Sequence, residues 1–283
     1  MSFRPALRPG AMVLRRDARH LQVGTSPGVV LSDRPGLLAL LLDLDGRHDV
    51  TSVAARHPDL HDTAAVLQHL TAVGAVVDAG PWDHRHRSEA RALTLAGRTP
   101  ELDARHRTTV AVHHDVASTA FADLVRDLLE SSGVPVDAPD ARLLVVVSAG
   151  EPGRDAFDAA VRQGVEHLVV RLVEDRVLVG PTVVPGHAPC LHCDDLQRAE
   201  ADPAWHALLP QLGRRAPHHN PPAVAALTAH TAAVEVAAAV QERAAGRRGL
   251  VGRIAVTGPS HGERVVRRVP FHPACACTLL PTR

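Results

Sequence analysis

The sequence contains no lysine and no tyrosine, and aromatic residues make up only 2% of it. Arginine therefore carries the whole basic count, and Ala, Val and Leu must build the hydrophobic core. So few rings exclude a base-stacking surface for single-stranded nucleic acid. Lys plus Arg and Asp plus Glu number 31 each. Because these charges balance, no overall electrostatic field attracts the chain to nucleic acid or to a membrane.

Long uncharged apolar runs are also missing. The leucine-rich run 36–44 is too short to cross a bilayer, and the longer run 222–245 carries several polar and charged residues. The N-terminus lacks the apolar segment of a signal peptide. We therefore expect a cytoplasmic protein in a reducing compartment, a setting that favours metal binding over disulfide formation.

The four cysteines stand in two chelating pairs. Cys190 and Cys193 form a CxxC, and Cys275 and Cys277 form a CxC near the C-terminus. Zinc accepts four thiolates in a closed tetrahedron with no open position for substrate. The spacing therefore predicts one structural zinc ion bound by all four cysteines. The alternatives are unrelated free thiols or two disulfides.

The first eighty residues show short strand patterns followed by three helical patterns and a final short strand. The predicted strands are 11–16, 19–24, 28–32 and 75–77, and the predicted helices begin near residues 37, 49 and 62. This order predicts a winged helix-turn-helix over residues 1–80. Its third helix, 62–73, contains no arginine and would contact DNA poorly. Capture of an extended peptide at a strand edge suits the apolar helix better, and a purely structural domain is the remaining alternative.

The rest of the sequence indicates a linker over residues 81–107 and an α/β domain over residues 108–283. The apolar run 142–147 is typical of a strand inside a parallel sheet, and helices alternate with strands around it. Nucleotide-binding sheets have a glycine-rich turn after the first strand. The corresponding segment here, 113–118, has His, Asp and Ser at the glycine positions. We therefore expect no ATP on this chain and no catalytic residue in it.

The stretch 168–193 reads LVVRLVEDRVLVGPTVVPGHAPCLHC, and DLQR, DPAW and a C-terminal HPACAC follow it. Together these motifs resemble the ThiF-like proteins of azoline-forming peptide pathways, in the ubiquitin-activating-enzyme superfamily. The resemblance extends over essentially the whole chain. Such proteins work beside a YcaO enzyme in the biosynthesis of thiazole/oxazole-modified microcins (TOMMs), a class of ribosomally made and modified peptides (RiPPs) that includes bacteriocins.

The resemblance implies an N-terminal winged helix-turn-helix that recognises the leader of a precursor peptide. It also implies a Rossmann-type second domain with structural zinc on the four cysteines. The chain would be a non-catalytic scaffold that presents the precursor to a separate YcaO-type cyclodehydratase, which forms thiazoline and oxazoline rings with ATP. A homodimer is implied by the superfamily. The peptide groove would lie between the strand 28–31 and the third helix, lined by Val29, Val30, Leu31, Val66, His69 and Leu70.

Two functions of other classes stay open. One is a divergent ATP-dependent adenylyltransferase of the ThiF class, which ATP–pyrophosphate exchange would reveal. The other is a zinc-containing winged-helix DNA-binding regulator, which salt-sensitive and sequence-dependent DNA binding would reveal. The turn at 113–118 argues against the first function, and the arginine-free third helix argues against the second.

Overall fold

A computed structural model gives the fold, and it describes residues 3–25, 28–80, 86–214, 221–260 and 262–279. The chain divides into two compact units, Met1–Leu102 and Asp103–Arg283. The boundary falls inside the segment 81–107 that the sequence predicts as a linker. Residues 81–85 of that segment lie outside the described residues, and helices occupy much of the remainder.

Among its described residues up to Asp78, the first unit contains five short strands and three helices. In chain order they are β1 (Pro5–Leu7), β2 (Val13–Arg15), β3 (His20–Val23), β4 (Val29–Ser32), α1 (Leu37–Asp43), α2 (Val50–Arg56), α3 (Thr63–Ala72) and β5 (Val76–Asp78). Strands β2, β3 and β4 form an antiparallel sheet in that order, and β1 pairs with β5. The sequence predicts each of these elements except β1.

Leucine and valine fill the core of this unit. Leu21, Leu40, Leu41 and Leu70 have no exposed surface, and they belong to one cluster that joins β3, α1 and α3. Helix α2 begins where the Asp49 carboxylate accepts a hydrogen bond from the amide of Ser52, as an N-cap residue does. The core thus holds the three helices against the sheet.

Two further helices follow β5: α4 (Arg87–Leu95) and α5 (Thr99–His106). Ala90, Leu93 and Leu102 form a small buried cluster between them. The segment predicted as a linker is therefore largely helical where it is described. A helix is predicted from the sequence near residues 91–95 and agrees with the end of α4. The high charge of the segment hid α5, because only a few apolar positions are needed to pack two short helices together.

The second unit is a mixed α/β structure built on a six-stranded sheet. Its elements are β6 (Val110–His114), α6 (Thr119–Ser131), β7 (Leu143–Ala149), α7 (Asp155–Gln163), β8 (Glu166–Val173), β9 (Arg176–Val183), α8 (Leu191–Ala201), α9 (Trp205–Arg214), α10 (Ala226–Ala244), β10 (Arg253–Thr257) and β11 (Arg264–Arg268), with 3-10 turns at Val116–Ser118 and Ala276–Leu279. The sheet order is β11-β10-β9-β8-β7-β6. Strands β6, β7 and β8 run parallel, and the remaining neighbours are antiparallel.

Helices α6 and α10 bury one face of this sheet. Residues of both helices, such as Val125 and Val236, share a cluster with the inward side chains of β6 to β9. A short strand predicted at 134–136 is reduced to a single bridge between Val136 and Val110. On the other face, Phe157 of α7 and Leu191 of α8 pack on Val169 of β8. This second face holds the candidate site.

Among the described residues, no helix is both long enough and apolar enough to cross a membrane.

Leu70→Ala should reduce the free energy of unfolding by about 2–5 kcal/mol, because a fully buried side chain would leave a cavity in the core. Chemical denaturation measures this change. The control is Leu42→Ala, since Leu42 is 67% exposed and its loss should stay within about 0.5 kcal/mol. Equal effects of the two substitutions would contradict the described core.

Candidate functional site

The four cysteines converge in the second unit. All four are buried, and their sulfur atoms lie within 4.8 Å of one another. Cys190 Sγ is 3.6 Å from Cys275 Sγ, and Cys193 Sγ is 3.5 Å from Cys277 Sγ. These separations exceed a disulfide bond of about 2.05 Å, so none of the four cysteines forms a disulfide. The structure therefore brings together every residue that the sequence assigns to a metal site.

Local structure places each pair. Cys190 is the N-cap of α8, and Cys193 lies in its first turn. The C-terminal segment is tied to the same helix, because Gln197 donates to the carbonyl of Pro270 at 2.8 Å and His272 contacts Glu200 at 2.9 Å. The amide of His272 also points at Cys193 Sγ, 3.5 Å away. These contacts hold Cys275 and Cys277 beside the start of α8.

The sulfur atoms lie close enough to form hydrogen bonds with one another, so the pKa of each thiol depends on its neighbours. A hydrogen bond from Cys190 lowers the pKa of Cys193 to about 4 and raises the pKa of Cys190. Burial, together with the neighbouring sulfurs, raises the pKa of Cys277 to about 12. One thiolate forms readily here, whereas several adjacent thiolates need a cation to balance them.

The donor set fits a metal with a tetrahedral preference for sulfur. Zinc–sulfur bonds of about 2.3 Å place tetrahedral sulfurs about 3.8 Å apart, close to the separations of the paired cysteines. Four thiolates would complete the coordination of zinc and leave no position for a substrate. A metal at this site would thus be structural, and the identity of the ion stays a prediction.

A buried network of charges adjoins the cysteines. It links elements far apart in sequence, and its members are Glu151, Arg154, Arg171, Asp194, Asp195, Arg198 and Arg267. Arg154 holds Asp195 through two bonds of 2.8 Å. Arg267 grips both carboxylate oxygens of Asp194 at 2.5 and 2.8 Å. Asp194 therefore binds helix α8 to strand β11 of the sheet, and Asp195 binds it to the start of α7.

Charge pairing in this network offsets the effect of burial. Burial raises the pKa of Glu151, but the positive charges of Arg171, Arg154 and Arg198 outweigh it, so the pKa of Glu151 lies below its usual value. The pKa of Asp194 is lowered in the same way, chiefly by Arg267. Both carboxylates stay ionised at neutral pH. The sequence analysis missed the network, although Arg171 interrupts the apolar run 168–173 and marks it.

The structure separates the six residues predicted to line a peptide groove. A cleft of about 340 Å³ lies between the end of β4 and α3, and Leu31, Val66 and His69 line it. Leu70 has no exposed surface and belongs to the core instead, and Val29 packs against that core. Val30 is 45% exposed, and its side chain lies on the opposite face of β4 from Leu31. The sequence analysis missed Leu37 and Ala65, which also line the cleft.

The turn after β6 holds a carboxylate where a nucleotide-binding sheet would hold phosphate. Asp115 accepts hydrogen bonds from the amides of Ser118 and Ala149, at 3.0 and 2.8 Å. The hydroxyls of Ser118 and Ser148 donate to the same carboxylate, at 2.9 and 3.1 Å. The Asp115 carboxylate thus accepts the hydrogen bonds that these amides and hydroxyls can donate at this end of the sheet.

No protein-family model and no curated protein matches the sequence. Solved structures do share its fold. The heterocyclase TruD is 21% identical with a TM-score of 0.62, over 98% of this chain and 43% of that chain. A heterocyclase in complex with substrate and cofactor is 17% identical with a TM-score of 0.63, over 98% of this chain and 39% of that chain.

A third similar structure is E. coli MccB with selenomethionine-labelled MccA, at 13% identity and a TM-score of 0.53, over 98% of this chain and 100% of that chain. The present chain therefore spans less than half the length of the two heterocyclases and essentially the whole of MccB. At such low identities the comparisons establish the fold.

We expect about one zinc ion per chain in freshly purified, reduced protein, measured by metal analysis. Cys193→Ser should lose this zinc and lower the melting temperature, because the C-terminal segment would lose its link to α8. Ala276→Ser is the matched control, since Ala276 is exposed between the two C-terminal cysteines. Absence of zinc from the unaltered protein would contradict the four-thiolate site.

Acid should destabilise the fold through Glu151 and Asp194. Their pKa values in the folded protein lie below the usual 4.5 and 3.8, so their stabilising effect is complete above those values. It is lost as pH falls through the lower, folded pKa values. Melting curves between about pH 5 and pH 3 measure this loss.

Asp194→Asn should cost about 1–3 kcal/mol at neutral pH, because it removes the buried carboxylate that accepts from Arg267 and faces the buried Arg171. Its stability should also change less with acid than that of the unaltered protein. Asp123→Asn is the control, because Asp123 forms an exposed pair with Arg126. Parallel pH dependences of the Asp194 variant and the unaltered protein would contradict the role of this carboxylate.

Proposed function

We propose that this chain is a non-catalytic scaffold that binds the leader of a ribosomally made precursor peptide. It presents that precursor to a separate YcaO-type cyclodehydratase, which forms thiazoline or oxazoline rings. The observation that carries the proposal is an unpaired strand edge beside an apolar cleft in the first unit.

Strand β4 supplies the edge. Among the described residues β4 pairs only with β3, and Asp33 donates its amide to Arg19 directly opposite. Because hydrogen bonding alternates along an antiparallel pair, Leu31 and Val29 also face β3. Val30 and Ser32 then direct their N–H and C=O groups to the open edge. An extended peptide can add there as a further strand.

The adjoining cleft suits side chains of such a peptide. Leu31, Leu37, Ala65 and Val66 give it an apolar floor. At its end Arg34 and Asp62 form an ion pair of 2.8 Å, so a bound apolar side chain meets no unpaired charge from them. The apolar floor of the cleft favours apolar side chains of a bound peptide, and the open edge of β4 favours a peptide with an extended backbone.

We interpret the first unit as a winged helix-turn-helix used for peptide recognition. The described residues up to Asp78 hold a three-stranded sheet, β2–β3–β4, and the three helices α1, α2 and α3, which are the elements that such a domain requires. Helix α3 has the sequence TAAVLQHLTA and offers no arginine or lysine side chain to a phosphate. This composition favours a peptide over DNA as the ligand.

We interpret the second unit as a ThiF-like, Rossmann-type domain without nucleotide binding. Asp115 takes the amides of Ser118 and Ala149, and its negative charge would repel a phosphate there. The strand expected at 134–136 is a single bridge, so the part of the sheet that would hold the nucleoside is reduced. The four cysteines bind structural zinc in this interpretation, which leaves no thiol nucleophile.

The comparisons agree with a role beside a larger enzyme. Both heterocyclases are more than twice as long as this chain, which covers 43% and 39% of them. One of them has been solved with substrate and cofactor, and MccB has been solved with MccA. We assign ring formation to a partner enzyme, because the present residues correspond to less than half of each heterocyclase.

Fluorescence anisotropy with a labelled leader peptide from the same biosynthetic locus tests the proposal. Val30→Pro removes one outward N–H from β4 and should weaken binding about threefold to tenfold, because proline cannot donate a strand bond. Val30→Ala is the matched control and should bind normally, since its backbone N–H remains. Binding should persist without ATP.

Three outcomes would contradict the proposal. The first is leader binding that survives deletion of residues 1–79. The second is equal binding by the Pro and Ala variants, which would remove the strand-edge mode. The third is absence of leader binding by zinc-loaded, folded protein together with salt-sensitive DNA binding, which would favour a regulator.

A further inference from the structure

Strand β11 forms one edge of the six-stranded sheet, and among the described residues it pairs only with β10. Immediately after β11, the amide of Val269 donates to the carbonyl of Gly252 at 2.9 Å. Bonded and non-bonded pairs alternate along antiparallel strands. The N–H and C=O groups of Arg264, Val266 and Arg268 therefore point away from β10. These three residues leave an open edge on which a further strand can pair.

The side chains along this edge alternate between the two faces of the sheet. Those of Arg264, Val266 and Arg268 share one face, and the side chain of Val265 lies on the other. Val265 is 61% exposed and Val266 is 39% exposed. Arg268 lies directly opposite Arg253 of β10 in the strand register, and both arginines are exposed. The edge thus combines exposed valines with two adjacent positive charges.

The pairing of Arg253 with Arg268 is electrostatically unfavourable, because like charges directly opposite each other destabilise a sheet. The other arginines of β11 are neutralised, since Arg264 binds a carboxylate of α10 and Arg267 binds one of α8. Arg253 and Arg268 form no ion pair with any described residue. Charged side chains on an edge strand hinder wrong pairing, but Arg253 stands on the neighbouring strand, where this purpose does not apply. A carboxylate from outside the chain would neutralise the pair.

We propose that the edge of β11 binds an extended, acidic segment of a partner protein, which adds to the sheet as a further strand. The backbone of this segment would bond to the outward N–H and C=O groups of β11. A carboxylate of the segment would lie beside Arg253 and Arg268, and an apolar side chain on its other face would cover Val265. The inference concerns the second unit alone, so it is independent of leader binding by the first.

Two other occupants fit this edge less well. If β11 of a second copy paired with it antiparallel about Val266, Arg264 of one copy would lie opposite Arg268 of the other, and these like charges would repel. Nucleic acid would contact the arginines but would leave the backbone groups of the edge without partners. An acidic strand satisfies both the charges and the backbone.

Fluorescence anisotropy of the whole chain with a labelled peptide of sequence EVEVEVE tests the proposal. The peptide should bind saturably, because it supplies an extended backbone with carboxylates on one face and valines on the other. The matched peptide EPEPEPE carries the same charge but lacks the N–H groups at its proline positions, so it should bind about tenfold weaker or worse. Equal affinities of the two peptides would overturn the proposal, as would the absence of saturable binding.

Variants locate the site. Val266→Pro removes an outward N–H and should weaken binding of EVEVEVE about threefold to tenfold, whereas Val266→Ala keeps that N–H and should bind nearly as well as the unaltered protein. Arg268→Glu should weaken binding about threefold or more, because repulsion replaces attraction. Its control is Arg142→Glu, which changes an exposed arginine outside the edge and should leave binding unchanged. Melting temperatures establish that each variant is folded. Binding that neither Val266→Pro nor Arg268→Glu weakens would place the peptide elsewhere and overturn the proposal.

Two further measurements distinguish the other occupants. A dimer of the unaltered protein that Val266→Pro dissociates, measured by sedimentation equilibrium, would assign the edge to a second copy and overturn the proposal. A short duplex DNA that displaces EVEVEVE and no longer binds to the Arg268→Glu variant would assign the edge to nucleic acid, with the same consequence. Peptide binding that DNA does not displace, by a protein whose oligomeric state Val266→Pro leaves unchanged, is the expected result.

Discussion

Two adjacent carboxylates, Asp194 and Asp195, lie buried near the start of α8, and their neutralisation fixes the second unit. Each needs a cation within the protein interior. Arg267 reaches Asp194 from β11, and Arg154, the residue before α7, reaches Asp195. Helix α8 can therefore occupy only the position where these partners meet. The same position brings Cys190 and Cys193 to the C-terminal segment, so the charge pairs and the cysteine cluster support one another.

The cysteine cluster and the cleft beside β4 differ in how far apart in sequence their residues lie. The cysteine cluster joins segments about eighty residues apart, and its geometry requires the whole second unit. The cleft beside β4 uses only neighbouring elements of the first unit. A peptide bound there would contact a surface whose shape is set by the leucine core of that unit and not by a metal.

The sequence predicted the features that local rules control. Chelating spacing identified the four cysteines, and apolar periodicity located most helices and strands. It could not assign the faces of β4, because Val29, Val30 and Leu31 are all apolar and show no alternation. Nor could it place His69 and Leu70 on different sides of α3. The ion network was missed because Glu151 and Arg171, or Asp194 and Arg267, are brought together only by the folded sheet.

The short open edge of β4 also limits how long a ligand stays. Only two residues of this strand, Val30 and Ser32, turn their backbone groups outward, and each hydrogen bond contributes about 0.5–1.5 kcal/mol net. Straightening a free peptide costs about 1–2 kcal/mol per residue, which is comparable. The backbone alone would therefore hold a chain only briefly, and residence time would depend on the side chains in the cleft. A surface of this kind is suited to releasing one peptide and receiving the next.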